Sequence, residues 1–177
     1  MIEVNEQIDV PSAPRIVWDL LSDPRAVVAC VPGAALGEQH EDGSFDASVT
    51  IKFGPAKVAF HARVALELDA ATMVGHVTSK GKDKQGGTRF HAMMTFRVAE
   101  QAEQAGSTIP IEAKVEIFGR LAMLVEGGAG LVVKRMTSEF SERLAARCAE
   151  ASAAQADSIS IESDPRINLT FQGEGKQ

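Results

Sequence analysis

Side chains capable of acid–base or metal chemistry are dispersed along this chain of 177 residues. His61, His76 and His91 fall on three successive predicted strands, and the last two would be neighbours if they stood opposite each other. A structural zinc site needs ligands in a closed tetrahedral arrangement, which an open sheet face does not supply. The histidines are therefore interpreted as exposed surface residues, and neither a metal site nor a catalytic residue is predicted.

The glycine-rich run at residues 127–130 lacks the features of a phosphate-binding loop. Such a loop ends in a lysine followed by serine or threonine, and it connects a strand to a helix. Neither feature surrounds this run, so a nucleotide site is excluded. The charges on the polar strand faces are mixed in sign and the net charge is −6, which argues against a nucleic-acid partner.

Most of the chain alternates between apolar and polar residues. Strict alternation is typical of antiparallel strands that bury one face and expose the other. The seven predicted strands are residues 2–10, 36–40, 45–53, 58–68, 73–80, 88–98 and 109–117. Short turn sequences separate most of them, so strands that follow one another in sequence should pair in space.

Two short helices are predicted between the first and second strands. Ser12 and Asp23 stand at helix-cap positions, and each is followed within two residues by a proline, which the first turn tolerates. Pro32 and Gly33 then interrupt the chain. This pair is either a simple helix stop or a rim poor in side chains through which a ligand passes.

A long amphipathic helix is predicted between residues 119 and 150, because the apolar spacing there changes to three and four. It should lie across the apolar face of the sheet, with a loose start, since each glycine in the 127–130 run costs about 1 kcal/mol of helix propensity. Residues 1–152 form one predicted domain. Residues 153–177 lose this pattern and are interpreted as a flexible tail containing a short apolar patch at Ile167, Leu169 and Phe171.

This order of elements indicates an α+β protein and resembles the helix-grip fold of START-like ligand carriers, in which a curved antiparallel sheet surrounds a long C-terminal helix. Over about residues 1–150, particular motifs resemble the CoxG family of carbon monoxide dehydrogenase subunits. They are Val17-Trp18-Asp19-Leu20-Leu21, Asp23-Pro24, Cys30-Val31-Pro32-Gly33, Asp42-Gly43, Phe53-Gly54-Pro55 and Phe118-Gly119-Arg120-Leu121-Ala122.

The resemblance implies binding rather than catalysis. It implies an accessory subunit that helps to mature a molybdenum-containing hydroxylase, such as carbon monoxide dehydrogenase, or recruits it to the membrane. It also implies a quinone- or lipid-like ligand held in a hydrophobic cavity, with no covalently bound cofactor. The oligomeric state is left open.

The buried faces supply the candidate ligand-binding residues, which are apolar throughout. Phenylalanine offers flat ring faces and methionine adapts its shape, so they suit a flat or chain-like apolar ligand. The candidates are Pro32, Gly33, Phe53, Phe60, Met94, Phe96, Ile117, Leu124, Val133, Met136 and Phe140. The alternative is that these residues pack into a solid core without a cavity.

Two other functions fit the same elements. A polyketide cyclase- or dehydratase-like enzyme would need polar groups inside, and the available ones are Glu6, Ser79 and Thr88, with Asp19 or Asp23 at a rim. A plain interaction module would dock onto a partner through the patch at Ile167, Leu169 and Phe171.

The two cysteines, Cys30 and Cys148, are interpreted as buried free thiols in a reducing compartment. No signal peptide precedes the first strand and no apolar run is long enough to span a bilayer. A cytoplasmic protein is therefore expected, with peripheral association at the inner face of the membrane through its partner.

Overall fold

The structure is a computed structural model that describes residues 1–162. One antiparallel sheet curves around a long helix, and two short helices close one end. The elements are β1 (Ile2–Val10), α1 (Pro14–Leu21), α2 (Pro24–Cys30), β2 (Ala34–Gln39), β3 (Phe45–Phe53), β4 (Ala56–Asp69), β5 (Val74–Asp83), β6 (Thr88–Arg97), β7 (Ala99–Glu100), β8 (Ser107–Gly119) and α3 (Ala122–Glu162).

The sheet runs in the order β1-β8-β6-β5-β4-β3-β2, so the predicted meander is confirmed and β1 completes it beside β8. The described residues contain eight strands rather than the predicted seven. The additional strand, β7, is two residues long and pairs with the start of β8. It arises because Val98 turns into the core, with its N–H donating to the Met73 carbonyl, so the chain leaves β6 at that point.

The helices α1 and α2 follow the prediction, although only one of the two expected caps forms. Asp23 caps α2 by accepting a hydrogen bond from the Arg25 N–H at 3.0 Å. The prediction for Ser12 is wrong, because Ala13 occupies the N-cap position of α1 and no side chain caps it. Instead, the Ser12 carbonyl accepts a hydrogen bond from the buried Ser107 hydroxyl on β8.

The start of α3 is held by the turn between β5 and β6. The buried Thr88 hydroxyl accepts a hydrogen bond from the Leu121 N–H at 3.0 Å, and the Asp83 carboxylate accepts one from the Thr88 N–H at 2.6 Å. Gly119 makes this junction with a φ of +115°, a value that side chains disfavour. These contacts explain why a glycine stands where the last strand meets the last helix.

The helix α3 is longer and more regular than predicted. Residues 127–130 are helical, and the lack of a side chain at Gly128 brings the helix close to Phe53. The helix also continues through residues 153–162, the first part of the predicted tail, since that segment is rich in alanine. Ile167, Leu169 and Phe171 lie outside the described residues, and the division of the chain at residue 152 stays a prediction.

Two core clusters hold α3 on the sheet. The first core cluster joins α1, the C-terminal half of α3 and the β1–β8 edge, and it consists of Ile8, Val10, Val17, Trp18, Leu21, Cys30, Phe96, Val98, Ile109, Leu144 and Cys148. The second core cluster joins the N-terminal half of α3 to β3 and β4, and it consists of Phe53, Val58, Phe60, Val125 and Val132.

Candidate ligand-binding site

A cavity of about 500 Å³ lies between the sheet, α2 and α3. It borders both core clusters, because Ile8 and Phe96 of the first and Phe60 of the second are part of its wall. The strand residues on the wall come mainly from the apolar side of each alternating segment. The interior is therefore hollow between its two ends, rather than the solid core that the sequence left as an alternative.

Six of the predicted ligand-binding residues line the cavity, and they come from α3, from the sheet and from the segment after α2. They are Pro32, Phe60, Met94, Phe96, Met136 and Phe140. Met94 is 37 % exposed although it points to the interior face of β6, which indicates that the cavity opens to solvent beside it.

The other five predicted residues do not line the cavity. Phe53 belongs to the second core cluster and Ile117 packs against it. Gly33 has a φ of +74° and approaches the Thr50 backbone too closely for a Cβ, so it serves the turn into β2 rather than a rim.

Leu124 and Val133 lie outside the cavity wall because of the rotation of α3. The residues of α3 that face the interior follow the series Val125, Ala129, Val132, Met136, Phe140, Leu144 and Cys148. Leu124 precedes this series by one position and is 40 % exposed, and Val133 follows Val132 on the flank of the helix. A shift of one residue turns a side chain by about 100° around a helix of 3.6 residues per turn.

One wall of the cavity was missed by the sequence reasoning. Leu21 at the end of α1 and Pro24, Val27, Val28 and Val31 in and after α2 all line it. The signal was present, since α2 has apolar residues on most of its circumference, and a surface helix would carry a polar face.

The polar side chains on the interior face of the wall are few. Glu6 on β1, Ser79 on β5 and Thr137 on α3 lie there, while Ser48 is placed by its pairing with His61 on the outer face of the sheet. Among the described residues, Glu6 is the one ionisable side chain of the lining. Thr88 is fully buried at the start of α3, and Asp19 and Asp23 do not line the cavity.

The histidines do not converge. His76 stands opposite Thr95 rather than His91, and its Nδ1 lies 3.0 Å from the Thr95 hydroxyl oxygen. His91 stands opposite Lys80, with its Nδ1 3.9 Å from a carboxylate oxygen of Glu116. Within residues 1–162, no three His, Cys, Asp or Glu side chains are grouped as metal ligands.

Cys30 and Cys148 are buried free thiols of the first core cluster, as predicted. Burial raises the pKa of both thiols, and that of Cys148 reaches about 11 because Cys30 adds to the effect. Only the thiolate is a strong nucleophile, so neither residue is suited to catalysis.

A second depression, of about 580 Å³, lies on the outer face of the sheet. Strand register brings Arg63, Lys80, Lys82 and Arg89 together there, beside His61. Asp46 also lines the depression, opposite Arg63, so both signs of charge are present there and the cations are in excess. All of these side chains are solvated, and no apolar wall accompanies them comparable to that of the interior cavity.

In the described part of the chain, no helix combines the length and apolar character needed to cross a bilayer.

The structural neighbours share the fold at low sequence identity. A conserved protein from Geobacillus kaustophilus has a TM-score of 0.72 and 18 % identity, covering 85 % of this chain and 97 % of that chain. A protein from Thermus thermophilus has a TM-score of 0.61 and 15 % identity, covering 85 % of this chain and 99 % of that chain.

A START superfamily protein from Mycobacterium smegmatis has a TM-score of 0.52 and 14 % identity, covering 84 % of this chain and 98 % of that chain. The α+β helix-grip architecture is therefore confirmed as a START-like fold. No curated protein sequence matches the chain. The family model of the carbon monoxide dehydrogenase subunit CoxG matches residues 6–149, from β1 into the second half of α3. The chain belongs to the CoxG family of carbon monoxide dehydrogenase subunits.

Proposed function

We propose that this protein is a carrier that binds an apolar, quinone- or lipid-like molecule in the cavity beneath α3. The observation that carries the proposal is the wall itself, in which Phe60, Phe96 and Phe140 present rings and Met94 and Met136 present flexible side chains. Its volume of about 500 Å³ is that of small-molecule sites, which are about 300–1,000 Å³. Transfer of an apolar molecule from water into such a space is favourable.

A variant that fills the cavity tests this proposal. Ala113 lies on the wall, so Ala113→Phe places a ring in empty space, whereas Lys114→Phe places the same ring on the outer face of the same strand. A short-chain ubiquinone and dodecanol serve as probes, with binding measured by calorimetry. Uptake of either probe by the native protein and by Lys114→Phe, but not by Ala113→Phe, is expected. Equal binding by both variants, or none by the native protein, contradicts the carrier function.

We further propose that the carrier is an accessory subunit for maturation or membrane recruitment of a molybdenum-containing hydroxylase such as carbon monoxide dehydrogenase. Membership of the CoxG family supports this. Deleting its gene in the source organism should lower the hydroxylase activity or the share of the enzyme in the membrane fraction. Complementation with the native gene, but not with Ala113→Phe, should restore it. If the hydroxylase activity and the share of the enzyme in the membrane fraction are unchanged after the deletion, the accessory role is contradicted.

We further propose that the protein contacts the inner face of the membrane, and an exposed stripe on α3 supports contact with a bilayer. We define it as Met123, Gly127 and Leu131, which recur every four residues, and Met123 and Leu131 are 87 % and 82 % exposed. Lys134 follows it on the same side of the helix, whereas Arg120 lies in the turn before α3 and donates a hydrogen bond to Gln85 at 3.2 Å. Exposed apolar side chains beside a cation suit the surface of an anionic bilayer.

Vesicle flotation tests this contact. The native protein should float with vesicles of phosphatidylcholine and phosphatidylglycerol, and less with phosphatidylcholine alone. Leu131→Glu should abolish flotation, whereas Met93→Glu, at another exposed methionine on the outer face of the sheet, should not. Flotation that is unaffected by Leu131→Glu would assign the membrane contact elsewhere.

The cyclase-like enzyme is less well supported by the cavity. General acid–base catalysis needs an ionisable group within reach of the substrate, and two such groups usually share the task. Glu6 is the one ionisable lining residue among those described. The carrier function is therefore favoured over the enzymatic one.

A further inference from the structure

Glu6 is a charged group on an otherwise apolar wall. The alternation of β1 turns Val4, Glu6 and Ile8 towards the cavity. Glu6 stands opposite Ile111 of β8, which in turn stands opposite Phe96 of β6, so its cross-strand neighbours are apolar.

The Glu6 carboxylate has no hydrogen bond or ion pair with any residue that the structure describes, in contrast to the acidic residues beside it on β1. Glu3 faces outwards and lies 3.9 Å from the Lys114 ammonium group. Asp9 also faces outwards and accepts a hydrogen bond from the Gln7 amide at 3.3 Å. Glu6 is half-buried without any such partner.

An unpartnered carboxylate on a cavity wall has a direct consequence for binding. In the empty cavity, water can hydrate it through the opening. A ligand that displaces this water must replace its hydrogen bonds, because burying a carboxylate without a partner is strongly unfavourable. A hydroxyl group can donate such a bond, whereas a carbonyl or ether oxygen can only accept and leaves the carboxylate unsatisfied.

We propose that Glu6 selects ligands that carry a hydroxyl group at one end of an apolar body. This inference rests on the proposed carrier function and adds the polar group that the ligand must present. Within the quinone-like class, the hydroxyl-bearing reduced form is bound in preference to the carbonyl form. Within the lipid-like class, an alcohol is bound in preference to the corresponding ether.

A control residue on the outer face of the same strand is Glu3. Its side chain faces away from the cavity, and its carboxylate lies 3.9 Å from the Lys114 ammonium group. Glu3 does not line the cavity. Glu3→Leu therefore removes a carboxylate from β1, as Glu6→Leu does, but leaves the cavity wall unchanged.

The test compares two probes of the same shape. 2-Naphthol carries a hydroxyl donor, and 2-methoxynaphthalene carries the same ring with an oxygen that only accepts. Binding of each is measured by fluorescence titration of the native protein, Glu6→Leu, Glu6→Gln and Glu3→Leu, with circular dichroism as the check of folding. The native protein and Glu3→Leu should prefer 2-naphthol by about tenfold or more, since hydrogen bonds to charged groups are strong.

In Glu6→Leu this preference should disappear, and 2-methoxynaphthalene should bind more tightly than it does to the native protein. Glu6→Gln keeps a hydrogen-bond acceptor without the charge, so its preference for 2-naphthol should lie between those of the native protein and Glu6→Leu. If the native protein binds both probes equally, or Glu6→Leu keeps the preference, the role of Glu6 is overturned while the carrier function stands. If neither probe binds to any of these proteins, the carrier function fails and this inference fails with it.

Discussion

The thiols of Cys30 and Cys148 are protected by their position in the first core cluster. Both are buried between α2 and α3, and burial raises the pKa of each. We predict that the folded protein does not react with Ellman's reagent at neutral pH and that both thiols react after denaturation. Rapid reaction of either thiol in the folded state would contradict the packing.

The raised pKa of Cys148 makes the free energy of unfolding depend on pH in the alkaline range. The pKa of Cys148 rises from the ordinary 9.0 to about 11, so the unfolded chain releases this proton before the folded one. The stabilising contribution is therefore complete below pH 9 and is lost as the pH rises towards 11. Urea unfolding between these values should show a loss of stability that is smaller in Cys148→Ala, which keeps only the contribution of Cys30, when each protein is compared with itself at pH 8.

Gly119 is the residue on which the junction of β8 and α3 depends. We predict that Gly119→Ala lowers the free energy of unfolding by about 3 kcal/mol, because its φ is +115° and a Cβ would collide with the Gly87 carbonyl oxygen. Gly86→Ala is the matched control, since its φ is +74° but no atom lies within 4 Å of the added Cβ. Gly86→Ala should lower the free energy of unfolding by about 1–2 kcal/mol. Equal losses in the two variants would contradict the close approach of Gly119 to the Gly87 carbonyl oxygen.

The glycines of α3 have different roles within the helix. A Cβ at Gly127 or Gly130 would meet nothing within 4 Å, whereas one at Gly128 would lie 2.9 Å from Cδ1 of Phe53. Gly127→Ala and Gly130→Ala should each stabilise the protein by about 0.5–1 kcal/mol in chemical denaturation. Gly128→Ala should give no such gain. A gain of equal size at all three positions would show that α3 does not pack closely on Phe53.

The C-terminal turns of α3 contribute little to the domain. Residues 153–159 are exposed in every case, and Cys148 is the last buried side chain among the residues whose burial the structure describes. We predict that a chain ending at Ser152 keeps its thermal midpoint within about 2 °C of the full chain. A larger loss would show that residues beyond 152 stabilise the domain.

The single tryptophan reports on the whole assembly of sheet and helices. Trp18 is 3 % exposed, and its ring centroid lies 6.1 Å from that of Phe96, which lines the cavity. Its emission should be blue-shifted in the folded protein and should change when a ligand fills the cavity. At a ligand concentration of about 100 times Kd, the thermal midpoint should also rise by about 5 °C or more. Binding with neither effect would locate the ligand outside this cavity.

The elements of this fold could be read from the chain because they depend on local periodicity. Alternation with a period of two assigned the apolar faces of the strands at residues 45–53, 58–68, 88–98 and 109–117, and spacings of three and four identified α3. The same periodicity found Phe60, Phe96, Met136 and Phe140 on the cavity wall. The turns between the strands, the approximate lengths of the elements and the helix cap at Asp23 are local features, so they could be recognised without knowledge of long-range contacts.

Features that depend on how the elements pack could not be read in this way. The rotation of α3 removed Leu124 and Val133 from the wall, and the docking of α2 added Val27 and Val28. Strand register decided that His76 meets Thr95 and that the cations of the outer face gather on neighbouring strands. Register and helix rotation are determined by contacts between distant segments, so a cavity and the unpartnered Glu6 on its wall emerge only when those segments are packed together.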